Sequence, residues 1–255
     1  MTPENHKGER IAKRMARAGL CSRRDAEEWI AQGRVKVNGA VLKSPACVVT
    51  DTDHIQVDGK PLKAAEKTRL FVYHKPVGLV TTSRDEMGRA TVFDNLPGHL
   101  PRVVSVGRLD LNSEGLLLLT NDGGLARYLE LPATGWRRCY RVRVKGDVDE
   151  ARLHDLKKGI TVDGVQYKSI EARLDNNEKE KYEKEKRGAN AWLSVTLTEG
   201  KNREIRRVME ALDLKVNRLI RVSFGPFNLD HLAPGAVEEV KAAVLKQQIP
   251  GYFKP

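Results

Sequence analysis

The sequence carries only three cysteines, Cys21, Cys47 and Cys139, scattered over 255 residues. Their number is odd and no CxxC spacing occurs, so neither a disulfide framework nor a thiolate zinc site is expected. They read as small reduced thiols of a reducing compartment. The six histidines form no HExxH pattern and no pair at helical spacing. No metal and no cofactor is therefore expected. No apolar run approaches the length of a membrane span, and no secretory leader pattern follows Met1, which points to a cytoplasmic protein with no membrane partner. Internal repeats are lacking. Acidic residues are also scarce: 34 Asp and Glu stand against 45 Lys and Arg, a net charge of +11. A basic chain of this kind suits a polyanion, because clustered cations displace counterions from phosphates.

Apolar residues make up 40% of the chain and charged residues 31%, enough for a globular core beneath a heavily charged surface. The length fits one medium domain and one small one. Over residues 9–32, Ile11, Met15 and Ala18 recur at helical spacing before Gly19. Ser22 is a good N-cap for a second helix with Ala26, Trp29 and Ile30 on its apolar face, ended by Gly33. RVKVNGAVL then alternates Val35 and Val37 with basic residues up to Asn38-Gly39, a hairpin turn signal. This unit gathers Arg10, Lys13, Arg14, Arg17, Arg23, Arg24, Arg34 and Lys36, a candidate phosphate-reading surface or a solvated charged face. Residues 58–69 are polar and read as a linker. The charged stretch 175–188 reads as a solvated loop between two strands.

The segment richest in chemistry is VGRLDLNSEGLLLLTNDGGLARYL, residues 106–129. Arg108 and Asp110 stand two apart, so an extended chain puts both on one face. Leu116–Leu119 read as a short buried strand closed by the turn Asn121-Asp122-Gly123. A carboxylate held between a turn and an apolar strand is suitably placed for a nucleophile, and equally for a turn residue or an arginine partner. In CYRVRV, residues 139–144, alternation puts Tyr140, Val142 and Val144 on the covered face. Tyr140 is there a core residue or an aromatic platform. In GKNREIRRVMEAL, Asn202 is a candidate cap for a helix on which Arg203, Arg206 and Arg207 share one side.

The stretch RIAKRMARAGLCSRRDAEEWIAQGRVKVNGAVL resembles an S4 RNA-binding domain over roughly residues 9–56, through its AGLCSRRDAE turn and GRVKVNG hairpin. VGRLDLNSEGLLLLTNDG resembles the GRLD motif of rRNA pseudouridine synthases, the family that holds the small-subunit and large-subunit enzymes. HKPVGLVTT and GRATVFDNLP within 74–97, CYRVRV, and GKNREIRRVMEALDLKVNRLIRVSFGPF at 200–227 resemble that family's other motifs, in order. The resemblance spans nearly the whole chain.

That resemblance implies an α+β fold. An S4-like domain and linker (1–63) precede a catalytic domain (64–255) with a large, mostly antiparallel sheet flanked by helices. It implies isomerisation of uridine to pseudouridine in ribosomal RNA by a monomer. Asp110 is the implied catalytic carboxylate, Tyr140 the ring platform and proton-transfer hydroxyl, and Arg206 the direct ion-pair partner of Asp110. Leu219 would pack beside the base and Arg108 help expel it from its stack. Lys75, Pro76 and Gly78 are implied to be structural, with Lys75 near phosphate, while Arg203 and Arg207 contact RNA. Attack by Asp110 at C1′, attack at C6, and removal of a ribose proton are all compatible with these residues. Within the family the C-terminal motif looks most like the B-type large-subunit branch, whose partner is 23S rRNA or a large-subunit precursor. The F-type and small-subunit enzymes come next. A non-catalytic rRNA-binding assembly factor is disfavoured because Asp110, Tyr140 and Arg206 are all present.

Overall fold

The computed structural model describes residues 8–131, 134–175 and 190–253, and most of the charged stretch 175–188 lies outside them. The chain divides into two units. One runs up to Arg69 and includes His99–Val104 and Asn121–Gly123, and the other holds the rest.

In the first unit β1 (Glu9–Arg10) leads into α1 (Ile11–Arg17), and α2 covers Arg23–Ala31. Ser22 caps α2 through a reciprocal box: its hydroxyl accepts from the Asp25 amide at 3.0 Å, and the Asp25 carboxylate accepts from the Ser22 amide at 2.9 Å. The helical periodicity buries Ile11, Ala12, Met15, Ala26 and Ile30 against Val35, Val49, Ile55 and Val57. The hairpin joins β2 (Val35–Val37) to β3 (Ala40–Val41). Asn38 and Gly39 have φ of 52° and 85°, the two positive values a tight type I′ turn needs. After β4 (Val48–Val49) and β5 (Ile55–Val57), a second such turn at Asp58-Gly59 leads into β6 (Lys60–Pro61), which pairs with β5. Part of the stretch read as linker is therefore sheet. Its polar composition hid a strand too short to show alternation.

The second unit is built on a nine-stranded sheet. Its strands are β7 (Leu70–Lys75), β8 (Val104–Ser105), β9 (Glu114–Thr120), β10 (Arg138–Lys145), β13 (Glu171–Leu174), β14 (Asn190–Leu197), β15 (Lys215–Phe224), β16 (Phe227–Asn228) and β17 (Val237–Val240). A separate hairpin joins β11 (Ile160–Val162) and β12 (Val165–Tyr167). The main path is β13-β14-β10-β15-β9-β7-β17, with β16 beside β15 and β8 beside β9. Along that path every pairing is antiparallel except β15 with β9. The helices are α3 (Gly123–Glu130), α4 (Glu150–Asp155), α5 (Glu204–Ala211), α6 (Ala242–Gln248) and α7 (Pro250–Phe253). Every residue of β9 is buried, as a continuous Leu run in a strand covered on both faces requires.

The β9–β15 junction is short: Glu114 faces Ile220 and Gly115 faces Arg221. Gly115 has a φ of +103°, and a Cβ there would lie 2.7 Å from the Arg221 amide nitrogen and closer still to its carbonyl oxygen. Only glycine lets these two backbones meet. This contact carries the Asp110 turn at the start of β9 up to the strand that holds Leu219.

Candidate active site

Asp110 is half-buried on the loop before β9, and the backbone around it is pinned carbonyl by carbonyl. The Thr81 hydroxyl donates to the Leu109 carbonyl at 2.8 Å. The Ser113 amide donates to the Asp110 carbonyl at 3.0 Å, and the Gly78 amide to that of Leu111 at 2.9 Å. The Arg206 guanidinium reaches the Asn112 carbonyl at 2.7 Å. The Lys75 ammonium reaches Ser113 at 2.8 Å and its neighbour Pro76 at 2.9 Å. Five consecutive carbonyls are thus fixed, one from within the turn and four by partners from two distant segments, Lys75–Thr81 and α5. Such pinning holds a carboxylate in place without side-chain reorganisation.

The turn opens on a cavity of about 780 Å³, whose walls include Arg108, Asp110, Tyr140, Arg203 and Leu219. A second cavity of about 700 Å³ shares Arg108, Asp110 and Arg203 and extends past Arg84 and Arg89. Asp110 therefore stands where the two meet. Tyr140 and Leu219 come from the adjacent strands β10 and β15. Each is over nine-tenths buried and shares the inward face of its strand with further buried residues. The period-two reading of CYRVRV places Tyr140 correctly.

Three expectations are corrected. Arg206 makes no ion pair with Asp110: its two Nη atoms reach the carbonyls of Asn112 and, at 3.4 Å, Val216, and its Nε is buried without a partner. The two charges still feel each other. Burial and Arg203 lower the Arg206 pKa, and Asp110 opposes them. The arginine therefore acts on the carboxylate's turn instead of forking onto the carboxylate. Asn202 does not cap α5. Arg203 occupies the N-cap in the left-handed region, φ 51°, with no side-chain cap bond, and so stands outside the helix whose face it was to share. Lys75 is fully buried with its ammonium on carbonyls, so it contacts no phosphate. Burial brings its pKa down to about 8, against the opposing pull of Asp110 and Glu114.

Arg207 is half-buried on α5 and does not line the cavity. Of the eight basic residues singled out in the sequence of the first unit, four have carboxylate partners. Lys13 and Arg14 pair with Glu9, and Arg14 also with Asp51; Arg17 pairs with Asp122 and Arg34 with Asp58. Arg34 also lies 4.6 Å over the Trp29 ring. Arg10, Arg23, Arg24 and Lys36 are exposed.

Three further residues of the cavity wall escaped the sequence reading: Arg138, Glu204 and Arg221. Arg138 donates to the carbonyls of Trp136 and Thr198, and its guanidinium lies 4.7 Å over the Phe224 ring. Arg221 is 3% exposed and donates through Nε to the Leu116 carbonyl at 2.7 Å. A signal for Arg221 was present: it stands two residues beyond Leu219 and so shares its face. Among the described residues no cluster of His, Cys, Asp or Glu could hold a metal ion, and no helix is long and apolar enough to cross a membrane.

Residues 69–211 match the RNA pseudouridylate synthase family. The chain belongs to that family. Residues 9–55 match the S4 domain. The synthase is similar to an uncharacterized RNA pseudouridine synthase of Rickettsia felis, at 47% identity over 94% of this chain and all of the relative. It is similar as well to the ribosomal large subunit pseudouridine synthase B of Yersinia pestis, at 44% identity over 87% of this chain and 69% of the relative. A crystal structure of a pseudouridylate synthase aligns with a TM-score of 0.65 at 25% identity, covering 94% of this chain and 99% of that one. The synthase fold expected from the motifs, a large and mostly antiparallel sheet after an S4 domain, is the fold observed.

Proposed function

We propose that this protein isomerises one uridine of large-subunit ribosomal RNA to pseudouridine, with Asp110 as the catalytic carboxylate. The observation that carries the reading is the pinned Asp110 turn, open to a cavity whose walls also hold Tyr140 and Leu219. The large-subunit substrate is supported by the relatives that bear that name.

The reaction breaks the N1–C1′ bond of uridine, turns the uracil, and forms a C5–C1′ bond. The proton on C5 leaves and N1 gains one, so atoms balance within the nucleotide and the chemistry requires no redox or group-transfer cofactor. A base inside folded RNA must leave its stack to reach Asp110. Tyr140 and Leu219, side by side on the inward face of β10 and β15, provide an aromatic and aliphatic floor for its ring, and Arg108 and Arg203, lining both cavities, suit the backbone phosphates on either side. Arg206 and Lys75 hold the Asp110 turn and supply positive charge behind it. The Tyr140 hydroxyl is the candidate acceptor of the C5 proton. The S4-like unit, residues 1–63, adds affinity through its exposed cations while residues 64–255 carry out the reaction. We read the enzyme as a monomer, and a ribosomal substrate suits the cytoplasm.

The test is Asp110→Asn, which keeps shape and removes the charge. Pseudouridine mapping on a large-subunit rRNA fragment should find no product, while the melting temperature stays at the wild-type value. Product formation at the wild-type rate by the variant would remove Asp110 from the mechanism.

A further inference from the structure

The wall of the cavity beside Asp110 holds three buried polar atoms with no partner in the protein: the Ser113 hydroxyl of the Asp110 turn, one carboxylate acceptor and one guanidinium donor. Glu204, 4% exposed, begins α5. Its Oε2 accepts from the Lys201 amide at 2.9 Å, and its Oε1 is buried with no hydrogen-bond donor. Arg221, 3% exposed, uses Nε on the Leu116 carbonyl and leaves Nη2 buried and unpartnered. Both residues line the wall that also holds Tyr140 and Leu219. Buried orphans of this kind cost stability unless a ligand completes them, and they are rare enough to call for an explanation.

The neighbours show why these two are available. Arg138, another guanidinium of the wall, donates to two carbonyls. Glu199 accepts from the Lys168 amide and pairs with the Lys201 ammonium. Glu204 is faced by Glu199 and Lys201 from its own loop and by Arg138 from β10. Burial, with the charge of Glu199 and a hydrogen bond that the protonated carboxyl shares with it adding, pushes its carboxyl up to about 7, so its ionised form is populated near neutrality and gains from any donor brought to Oε1.

Uracil presents along one edge a donor, N3–H, next to an acceptor, O4. Cytosine reverses both. We propose that Glu204 Oε1 and Arg221 Nη2 read this edge of the target base, the carboxylate accepting from N3–H and the guanidinium donating to O4. Glu204 and Arg221 are thus specificity residues that turn the uracil's polar edge toward the wall that also holds Tyr140 and Leu219. A site built on such bonds rejects an analogue that lacks them far more strongly than an apolar slot does. The inference rests on the uridine-isomerase reading and deepens it.

The test uses the full chain and an rRNA fragment carrying uridine, N3-methyluridine or 4-thiouridine at the target position. Pseudouridine formation by the wild type on the unmodified fragment checks the isomerase reading separately. If that reading stands, kcat/KM of the wild type should fall at least about 100-fold with N3-methyluridine and about tenfold with 4-thiouridine, whose sulfur is a weak acceptor. Glu204→Leu should lose at least about tenfold on uridine and discriminate little against N3-methyluridine. Glu204→Gln, which keeps an acceptor, should preserve most of the discrimination. A folded Glu204→Leu with the wild-type uridine preference overturns the proposal. Should that variant not fold, equal wild-type rates on uridine and 4-thiouridine overturn it without any variant.

Discussion

Gly115→Ala is a single methyl addition that should disable the fold at the point where it serves the site. The new Cβ would sit 2.7 Å from the Arg221 amide nitrogen and closer to its carbonyl oxygen, both backbone atoms held in the sheet. No side chain can swing aside to make room. The residue would also hold a φ of +103°, which costs an L-residue roughly 1–3 kcal/mol. Relieving the clash means drawing β9 away from β15 along their only shared register, Glu114 with Ile220 and Gly115 with Arg221. Losing about two ladder hydrogen bonds between buried strands adds roughly 1–3 kcal/mol for each group left unsatisfied. The sum, about 3–9 kcal/mol counting one unsatisfied group for each bond lost, is a large part of the ~5–15 kcal/mol that holds a typical domain together. For a chain of this size that corresponds to a fall in Tm of at least about 6 °C, read by calorimetry or circular dichroism. The Asp110 turn and the Arg221 guanidinium would move with the strands, so any soluble fraction should be inactive at low temperature. A variant that melts within about 2 °C of wild type would refute the close-approach argument.

Tyr140→Phe keeps the ring and removes the hydroxyl. RNA affinity should persist while turnover falls, and normal single-turnover rates would assign the C5 proton another acceptor. Arg206→Ala removes the donors to Asn112 and Val216, and turnover should drop about 10- to 100-fold, matching ~1.5–3 kcal/mol for a charged hydrogen bond, with little change in RNA affinity. Removing Arg23 and Arg24 together should instead weaken binding and flatten its salt dependence by about 0.7–0.9 in slope for every phosphate they neutralise; an unchanged slope would take these residues off the RNA surface. Lys75 gives a pH signature. Its folded pKa of about 8 lies below the unfolded value of 10.5, so the unfolded chain binds more protons in that window. Wild type should therefore gain about 3 kcal/mol relative to Lys75→Met as pH rises from 8 to 10.5, and lose it again as pH falls through 8, measured by urea unfolding of both proteins.

The sequence by itself determined whatever depends on neighbours along the chain. The capped helix at Ser22, the Asn38-Gly39 hairpin, the buried Leu116–Leu119 strand and the inward Tyr140 all follow from local turn chemistry and period-two or period-3.6 alternation. Alternation even held unused information, since Phe71, Tyr73 and Lys75 share one face of β7 and all three are buried. The motif resemblance extended this reach to the family and its carboxylate, because ordered motifs preserve the places where distant segments meet.

Sheet order decided the rest. Strand β15 lies between β10 and β9, parallel to the latter, and this brings Arg221 and Leu219 beside Tyr140 and sets α5 next to the Asp110 turn. Whether Arg206 grips a carboxylate or a carbonyl is settled by a shift of a few ångströms in that docking, far finer than motif positions can specify. The left-handed Arg203 displaced the expected cap at Asn202, in a loop whose Lys201 amide donates to the Glu204 carboxylate, an arrangement that the cap preference of one residue does not reveal. The unpartnered Glu204 and Arg221 stand 17 positions apart on different elements. Polar residues in a sequence carry no mark of whether their partners will arrive, because burial and hydrogen-bond satisfaction are properties of the packed whole.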